Sequence, residues 1–184
     1  MPTKVRLNIV GIIGASALRE RNLVEDIILS LRFDGWTVST MKRAPDGFDI
    51  DQPGKVSHRR REAGCREVML VGDRRLALMM EFRDDPQPSL QWLAARLLPV
   101  DVVVAEGFKG AAVPTIEVFV AARQQEPRCR SDPNIVAVAT DDPVACDVPC
   151  FRVADVDGLC RFLVGRLGLV TQRGRPEPDG RCGS

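Results

Sequence analysis

The run VDVVVA at residues 100–105 is almost wholly apolar, as a strand covered on both faces must be. Strands of that kind lie in parallel sheets with helices packed on either side, which makes this an α/β chain. The rest of the sequence agrees. An apolar stretch at 5–10 ends in Gly11 and Gly14, as a first strand entering a turn. Leu23, Val24, Ile27, Ile28 and Leu31 then recur at helical spacing until Gly35 ends the pattern. A second β-rich run follows at 36–41. Strand, loop, helix, strand is the opening of a parallel unit with a right-handed crossover.

Residues 68–71 and 76–82 read as two strands joined by the tight charged turn Gly72-Asp73-Arg74-Arg75, an antiparallel extension of the fold. Pro86 and Pro88 interrupt the chain, and Ser89 is placed to cap a helix running to Leu98. Residues 115–120 and 135–139 supply further strands. Val156, Leu159, Phe162, Leu163 and Leu167 predict a last amphipathic helix. The tail at 172–184 has no apolar pattern and is expected to be disordered. The expectation is one mostly parallel α/β domain over residues 1–171, its sheet flanked by helices.

Composition narrows the function. With 26 basic and 25 acidic side chains the net charge is +1, which argues against a general nucleic-acid binder. No stretch approaches the roughly 18 uncharged apolar residues of a membrane span, and the N-terminus lacks a signal-peptide pattern, so a cytoplasmic location is expected. The six cysteines contain no CxxC pair, and the one histidine, His58, is far from them in sequence. They read as incidental thiols of a reducing compartment rather than a zinc centre; Cys146 and Cys150 are given no role.

Ligands in such sheets sit where loops leave the carboxyl ends of strands, and three loops there are chemically loaded. The first, GIIGASALRER, occupies the place of a phosphate-binding loop, GxxxxGK[ST]. Counting from Gly14, the second glycine falls on Arg19, the lysine on Glu20 and the hydroxyl residue on Arg21. The motif works because glycines let backbone N–H groups wrap the phosphates, lysine neutralises them and the hydroxyl holds Mg²⁺. A unit-charge pair is worth about 4 kcal/mol at a surface-like dielectric, so exchanging lysine for glutamate is a swing of about 8 kcal/mol, comparable to a micromolar affinity. Arg-Glu-Arg still carries the formal charge of one lysine. Gly11, Gly14, Ser16, Arg19 and Arg21 are therefore the candidates for residual phosphate contact, against the plainer reading of a simple strand–helix turn.

The second loop, KRAPDGFDIDQPGKVSHRRREAG, clusters Asp46, Asp49 and Asp51 with Lys42, Lys55 and Arg59-Arg60-Arg61. Most mixed-charge loops are merely solvated, but one this long is more often functional or disordered than idle. The third, VVVAEGFKG, delivers Glu106 and Gly107 at the end of the buried strand, then Lys109. An acidic residue there can hold Mg²⁺, and Glu106 is the candidate metal ligand; the alternative is a carboxylate that caps the next turn. Asp101 lies at the other end of that strand.

Taken in order, TMKRAPDGFDIDQPGKVSHRRREAG, RRLALMMEF, DVVVAEGFKG with PTIEVFVAA, and IVAVATDDP resemble the molybdopterin-guanine dinucleotide biosynthesis protein B (MobB) family over nearly the whole ordered chain. The resemblance implies a P-loop NTPase-like fold, usually dimeric through an added strand region. It also implies GTP and Mg²⁺ as ligands, and a role in converting molybdenum-bound molybdopterin to its guanine dinucleotide form. The implied partners are the molybdenum cofactor guanylyltransferase and the machinery of molybdoenzyme maturation. The positions Asp49, Asp51, Pro53, Gly54, Lys55, Ser57, Arg61, Ala63 and Gly64 match the loop beside the nucleotide, preceded by Lys42; Glu106, Gly107 and Lys109 match the second acidic motif.

The departures concentrate where nucleotide and metal would sit. The phosphate loop is replaced, the histidines usual after the second strand fall on Arg43, Pro45 and Asp46, and Val56 stands where an acidic residue is usual. The expected function is an accessory or adapter role in molybdenum cofactor biosynthesis or molybdoenzyme maturation, with GTP binding weakened or lost and molybdopterin a possible ligand of the surviving loops. Lys55, Arg59, Arg60 and Arg61 would suit its phosphate. A slow GTPase using Arg19 or Arg21, and a structural subunit of a molybdoenzyme-related complex, are the alternatives.

Overall fold

The structure, a computed structural model, describes residues 7–14, 17–44, 47–124 and 126–169, with residues 17–21 described by backbone alone. The expected tail at 172–184 lies outside the described residues. Where the sequence reads as one domain, the chain divides into two compact units, residues 1–43 with 90–184, and residues 44–89.

The larger unit is a parallel sheet. Strands β1 (Ile9–Gly14), β2 (Val38–Lys42), β5 (Val102–Glu106), β6 (Thr115–Val118), β7 (Ile135–Ala139) and β8 (Cys150–Phe151) run in the order β2-β5-β1-β6-β7-β8, every neighbouring pair parallel. β1, β5 and β6 are buried at every residue, which follows from burial on both faces. Alternate side chains divide between two cores. Val10, Ile12, Val102, Val104, Ile116 and Val118 face one way, against Leu23, Val24, Ile27 and Leu31 of helix α1 (Ala17–Phe33) and Leu159, Cys160 and Leu163 of helix α4 (Val156–Leu167). Ile9, Val103 and Ala105 face the other, against Leu90 and Ala94 of the short helix α3 (Leu90–Ala94).

The helix ends are written in the sequence. After α1 the amide of Trp36 donates to the carbonyl of Leu31 at 3.0 Å around Gly35, whose φ of 86° a side chain would resist. α4 starts on Asp155, whose carboxylate accepts from the Gly158 amide at 3.0 Å, and closes on left-handed Gly168. α3 is shorter than expected. Past Ala94 the bonds tighten, Arg96 and Leu97 reaching back three residues to Leu93 and Ala94 at 3.1 Å, because Pro99 disfavours helical geometry at Leu98.

Gly11 needs a correction as a turn residue. It lies inside β1, its amide bound to the Pro114 carbonyl at 2.8 Å, and a Cβ there would stand 2.5 Å from Thr115 Oγ1. Its missing side chain lets β1 and β6 approach, a sheet-packing role away from the loop at the strand end.

The smaller unit holds helix α2 (Val56–Glu62) and the antiparallel hairpin β3 (Glu67–Gly72) and β4 (Arg75–Met80). Gly72 pairs with Arg75 across the two-residue turn Asp73-Arg74, as the charged turn predicts. Met69, Leu70, Val71, Leu76 and Leu78 of this hairpin are exposed. Among the described residues no helix is long and apolar enough to cross a membrane.

Candidate functional site

β1 leads its connection towards β2, and its neighbour β5 leads towards β6, in opposite directions across the sheet. That reversal opens a crevice at their carboxyl ends, the usual ligand position in open α/β sheets. Gly14 ends β1 at this edge and α1 begins at Ala17. Ser16 lies outside the described residues; Arg19 and Arg21 belong to the first turns of α1, and Glu20 stands between them.

Glu106 ends β5 beside Ile12 of β1 on one side and Lys42 of β2 on the other. Its carboxylate accepts from Lys42 Nζ at 2.7 Å; the glutamate side chain is 10% exposed and the lysine 53%. A buried charge is thus met by a flexible cation that can swing into solvent. The next residue, Gly107, has φ of 82°, and its amide extends the ladder to the Ile12 carbonyl at 2.9 Å. The carbonyl of Glu106 accepts from the Arg43 amide at 3.0 Å, and Lys109, exposed, follows in the turn. Asp101, at the amino end of the strand, is bound to the Thr37 amide and hydroxyl at 2.9 and 2.6 Å. It belongs to the opposite edge, as its position in the sequence implies.

A P-loop Mg²⁺ site takes a hydroxyl from the end of the loop and an acidic residue nearby. This chain keeps the acidic residue as Glu106 but has Arg21 at the hydroxyl position. Among the described residues no cluster of three His, Cys, Asp or Glu side chains could hold a metal ion. The side chains present fit such a metal site incompletely.

In the smaller unit the acidic and basic residues of the second loop satisfy one another. Arg61, on α2, donates Nη1 to Glu81 at 2.8 Å, Nε to Asp51 at 3.3 Å and Nη2 to Asp49 at 3.1 Å. Asp51, whose side chain is 4% exposed, also accepts from Ser57 Oγ at 2.8 Å and the Gln52 amide at 3.0 Å. Asp49 accepts from the Asp51 amide at 2.8 Å; that bond, with Arg61 behind it, holds its carboxyl below the usual range. For Asp51 burial pushes upward, and the Ser57 and Gln52 hydrogen bonds with the Arg61 charge outweigh it, leaving the carboxyl lowered too. The bond to Glu81 raises Arg61 further into permanent charge.

Arg61 therefore ties the loop to α2 and β4. It does not present a free guanidinium for a phosphate. The exposed cations are Lys55, Arg59 and Arg60. Gly54 and Gly64 take φ of 87° and 104°, which shape the turns before and after α2, and Pro53 leads into the first of them. Pro45 and Asp46 lie outside the described residues. Glu81 completes the network and is missed by reasoning on the loop alone; its place in the quoted stretch RRLALMMEF was the available signal.

Two further features of the larger unit carry no expectation from sequence. Glu117 of β6 is fully buried, and its two oxygens accept from Gln124 Nε2 at 2.7 Å and the amides of Arg128 and Cys129 at 2.8 and 3.0 Å. The signal was a lone carboxylate in the apolar run TIEVF. A cavity of about 410 Å³ lies at the carboxyl end of β7, lined by Thr140, Asp141, Asp142, Cys150, Phe151 and Arg152 among others. Asp142 is occupied there, accepting the Ala121 amide at 2.8 Å.

Known proteins match this arrangement. The family described as "Molybdopterin guanine dinucleotide synthesis protein B" matches residues 9–141. A protein of Escherichia coli (strain K12) named molybdopterin-guanine dinucleotide biosynthesis adapter protein is 30% identical over 167 residues, covering 89% of this chain and 95% of its own. A protein of Haemophilus influenzae with the same name is 34% identical over 163 residues, with 86% and 88% covered. A crystal structure of molybdopterin-guanine biosynthesis protein B superposes with a TM-score of 0.67 at 23% identity, covering 86% of this chain and 99% of that one. A MobB homolog from Bacillus stearothermophilus gives 0.65 at 21%, with 89% and 100% covered. These likenesses show the fold, the mostly parallel, P-loop NTPase-like one that the family resemblance implies. With the family matching more than half its length and two relatives at 30% identity or above, this chain belongs to the molybdopterin-guanine dinucleotide synthesis protein B family.

Proposed function

We propose that this chain is an adapter in the biosynthesis of molybdopterin guanine dinucleotide whose GTP binding is weakened or lost. Its relatives from Escherichia coli and Haemophilus influenzae carry the adapter name. The observation that carries the second half is Glu20, in the first turn of α1, at the position where a phosphate-binding loop keeps its lysine. Flanking Arg19 and Arg21 keep the local charge positive but supply neither the glycine wrap nor the Mg²⁺ hydroxyl. Calorimetric titration with GTP, with and without Mg²⁺, tests the reading: no saturable heat is expected, and saturation at micromolar nucleotide would overturn it.

In this reading the adapter offers two surfaces. Lys55, Arg59 and Arg60, exposed around α2, suit the phosphate of molybdopterin or of a nucleotide, while Arg61 keeps their scaffold in shape. The exposed apolar hairpin β3–β4 suits a second copy of the chain, since isolated two-stranded sheets with apolar faces are rarely left in water. Size-exclusion chromatography with light scattering should give a dimer that becomes a monomer in V71E/L76E; a monomeric parent removes the dimer from the account. The larger partner is a molybdenum cofactor guanylyltransferase or a component of molybdoenzyme maturation, met in the cytoplasm.

One observation favours the second reading, a slow GTPase. Among the described residues a movable lysine is the side-chain partner of Glu106 at the crevice, as for a carboxylate awaiting Mg²⁺. GTP turnover dependent on Mg²⁺ and abolished by Glu106→Gln would establish it.

A further inference from the structure

Cys146 and Cys150, spaced as CxxxC, stand with their sulfur atoms 3.0 Å apart, about 1 Å beyond a disulfide bond. The contact is built rather than incidental. Both thiols point at the carbonyl of Val148 between them, at 3.5 and 3.6 Å. On one side the carbonyl of Ala145 accepts from Arg130 Nε and Nη2 at 3.3 and 3.0 Å, and Arg130 is itself braced by an ion pair with Glu126. On the other, the Pro149 carbonyl accepts the amide of Val138 at 3.0 Å, fixing the start of β8 against β7. Cys150 is exposed and lines the cavity at the end of β7; Cys146 is half-buried behind it.

We propose that Cys146 and Cys150 form a thiol–disulfide exchange site whose substrate is a low-molecular-weight disulfide such as oxidised glutathione. The exposed Cys150, as thiolate, attacks one sulfur of the small disulfide. That S–S bond breaks, a thiolate leaves, and Cys150 carries the mixed disulfide. Cys146, as thiolate, attacks the Cys150 sulfur and expels the second small thiolate. The two cysteine protons finish on the two departing thiols, so the protein dithiol is oxidised to a disulfide and the small disulfide is reduced to two thiols. Burial, with Cys146 alongside, pushes the Cys150 thiol up to about 11, so at neutral pH the exchange runs through a small thiolate fraction. The contact geometry decides where the disulfide closes.

Cys129 is the competing partner. It sits in the turn at Arg128–Arg130, and burial, with Cys146 nearby, pushes its thiol up to about 11. The exposed Cys65 serves as an internal control, a thiol with no role in the cluster. The site is independent of the adapter reading and of any nucleotide.

The full chain, reduced and then equilibrated in glutathione buffers of rising oxidised fraction, is acid-quenched, alkylated and mapped by peptide mass spectrometry. The expected result is joint loss of alkylation at Cys146 and Cys150, which share one internal disulfide, while Cys65 carries glutathione adducts only. C146S and C150S should each lose the disulfide and leave an adduct on the surviving cysteine, and C129S should keep it. Separate adducts on Cys146 and Cys150 in the parent chain, or a bond from either to Cys129 in place of their own, would overturn the proposal.

Discussion

Two glutamates are buried in the same parallel sheet and are treated in opposite ways. Glu117, on β6, is saturated by Gln124 and by two backbone amides of the turn that follows. Glu106, at the end of β5, meets one lysine whose side chain is half in solvent. Amides fixed in the backbone cannot leave, so Glu117 is a strut that holds Gln124, Arg128 and Cys129 onto the sheet. A lysine on a four-carbon stem can leave, so Glu106 keeps its charge available to something entering the crevice. The same logic separates Arg61, shared among three carboxylates, from the exposed Lys55, Arg59 and Arg60 around it. Burial alone does not mark a functional group.

The comparison breaks first at Glu117. Glu117→Ala orphans two backbone amides in the interior and should cost about 2–5 kcal/mol in denaturant unfolding, with Glu117→Gln milder because it can still accept. A loss no larger than that of an exposed residue would end its role as a strut. Next is the strand beside it. Gly11→Ala drives a methyl into Thr115 and should cost about 1–3 kcal/mol of stability, from packing and not from any phosphate contact. Smallest in stability is Glu106→Gln, about 1 kcal/mol or less, because Lys42 retreats to water and the amide still accepts. Equal losses at Glu106 and Glu117 would erase the distinction between them.

Much of this was legible in the sequence, for reasons that differ by element. β7 and α4 come out at their expected bounds because the first is continuously apolar and the second has both an apolar stripe and clear caps, Asp155 and Gly168. β5 begins two residues later than the apolar run, since Asp101 is drawn aside to Thr37. α2 was not legible. VSHRRRE has no apolar stripe and buries only Ser57, and its ties run from Ser57 and Arg61 to acids outside the helix. β8, two residues long, is below what a pattern can register. At the candidate site, the changed phosphate loop could be read directly, because a motif with fixed spacing exposes its own substitutions. The pairing of Lys42 with Glu106, 64 residues apart, depends on register across a parallel sheet, which local sequence does not encode.

In the proposed function, Arg19, Glu20 and Arg21 take the chain out of tight GTP binding. The most direct test is a side-by-side titration of the parent and of R19G/E20K/R21T with GTP and Mg²⁺. No saturable heat is expected for the parent, and restored binding, on the order of micromolar, for the triple variant. Equal and saturable binding by both would contradict it, and the arginines would then have rebuilt a phosphate site of their own.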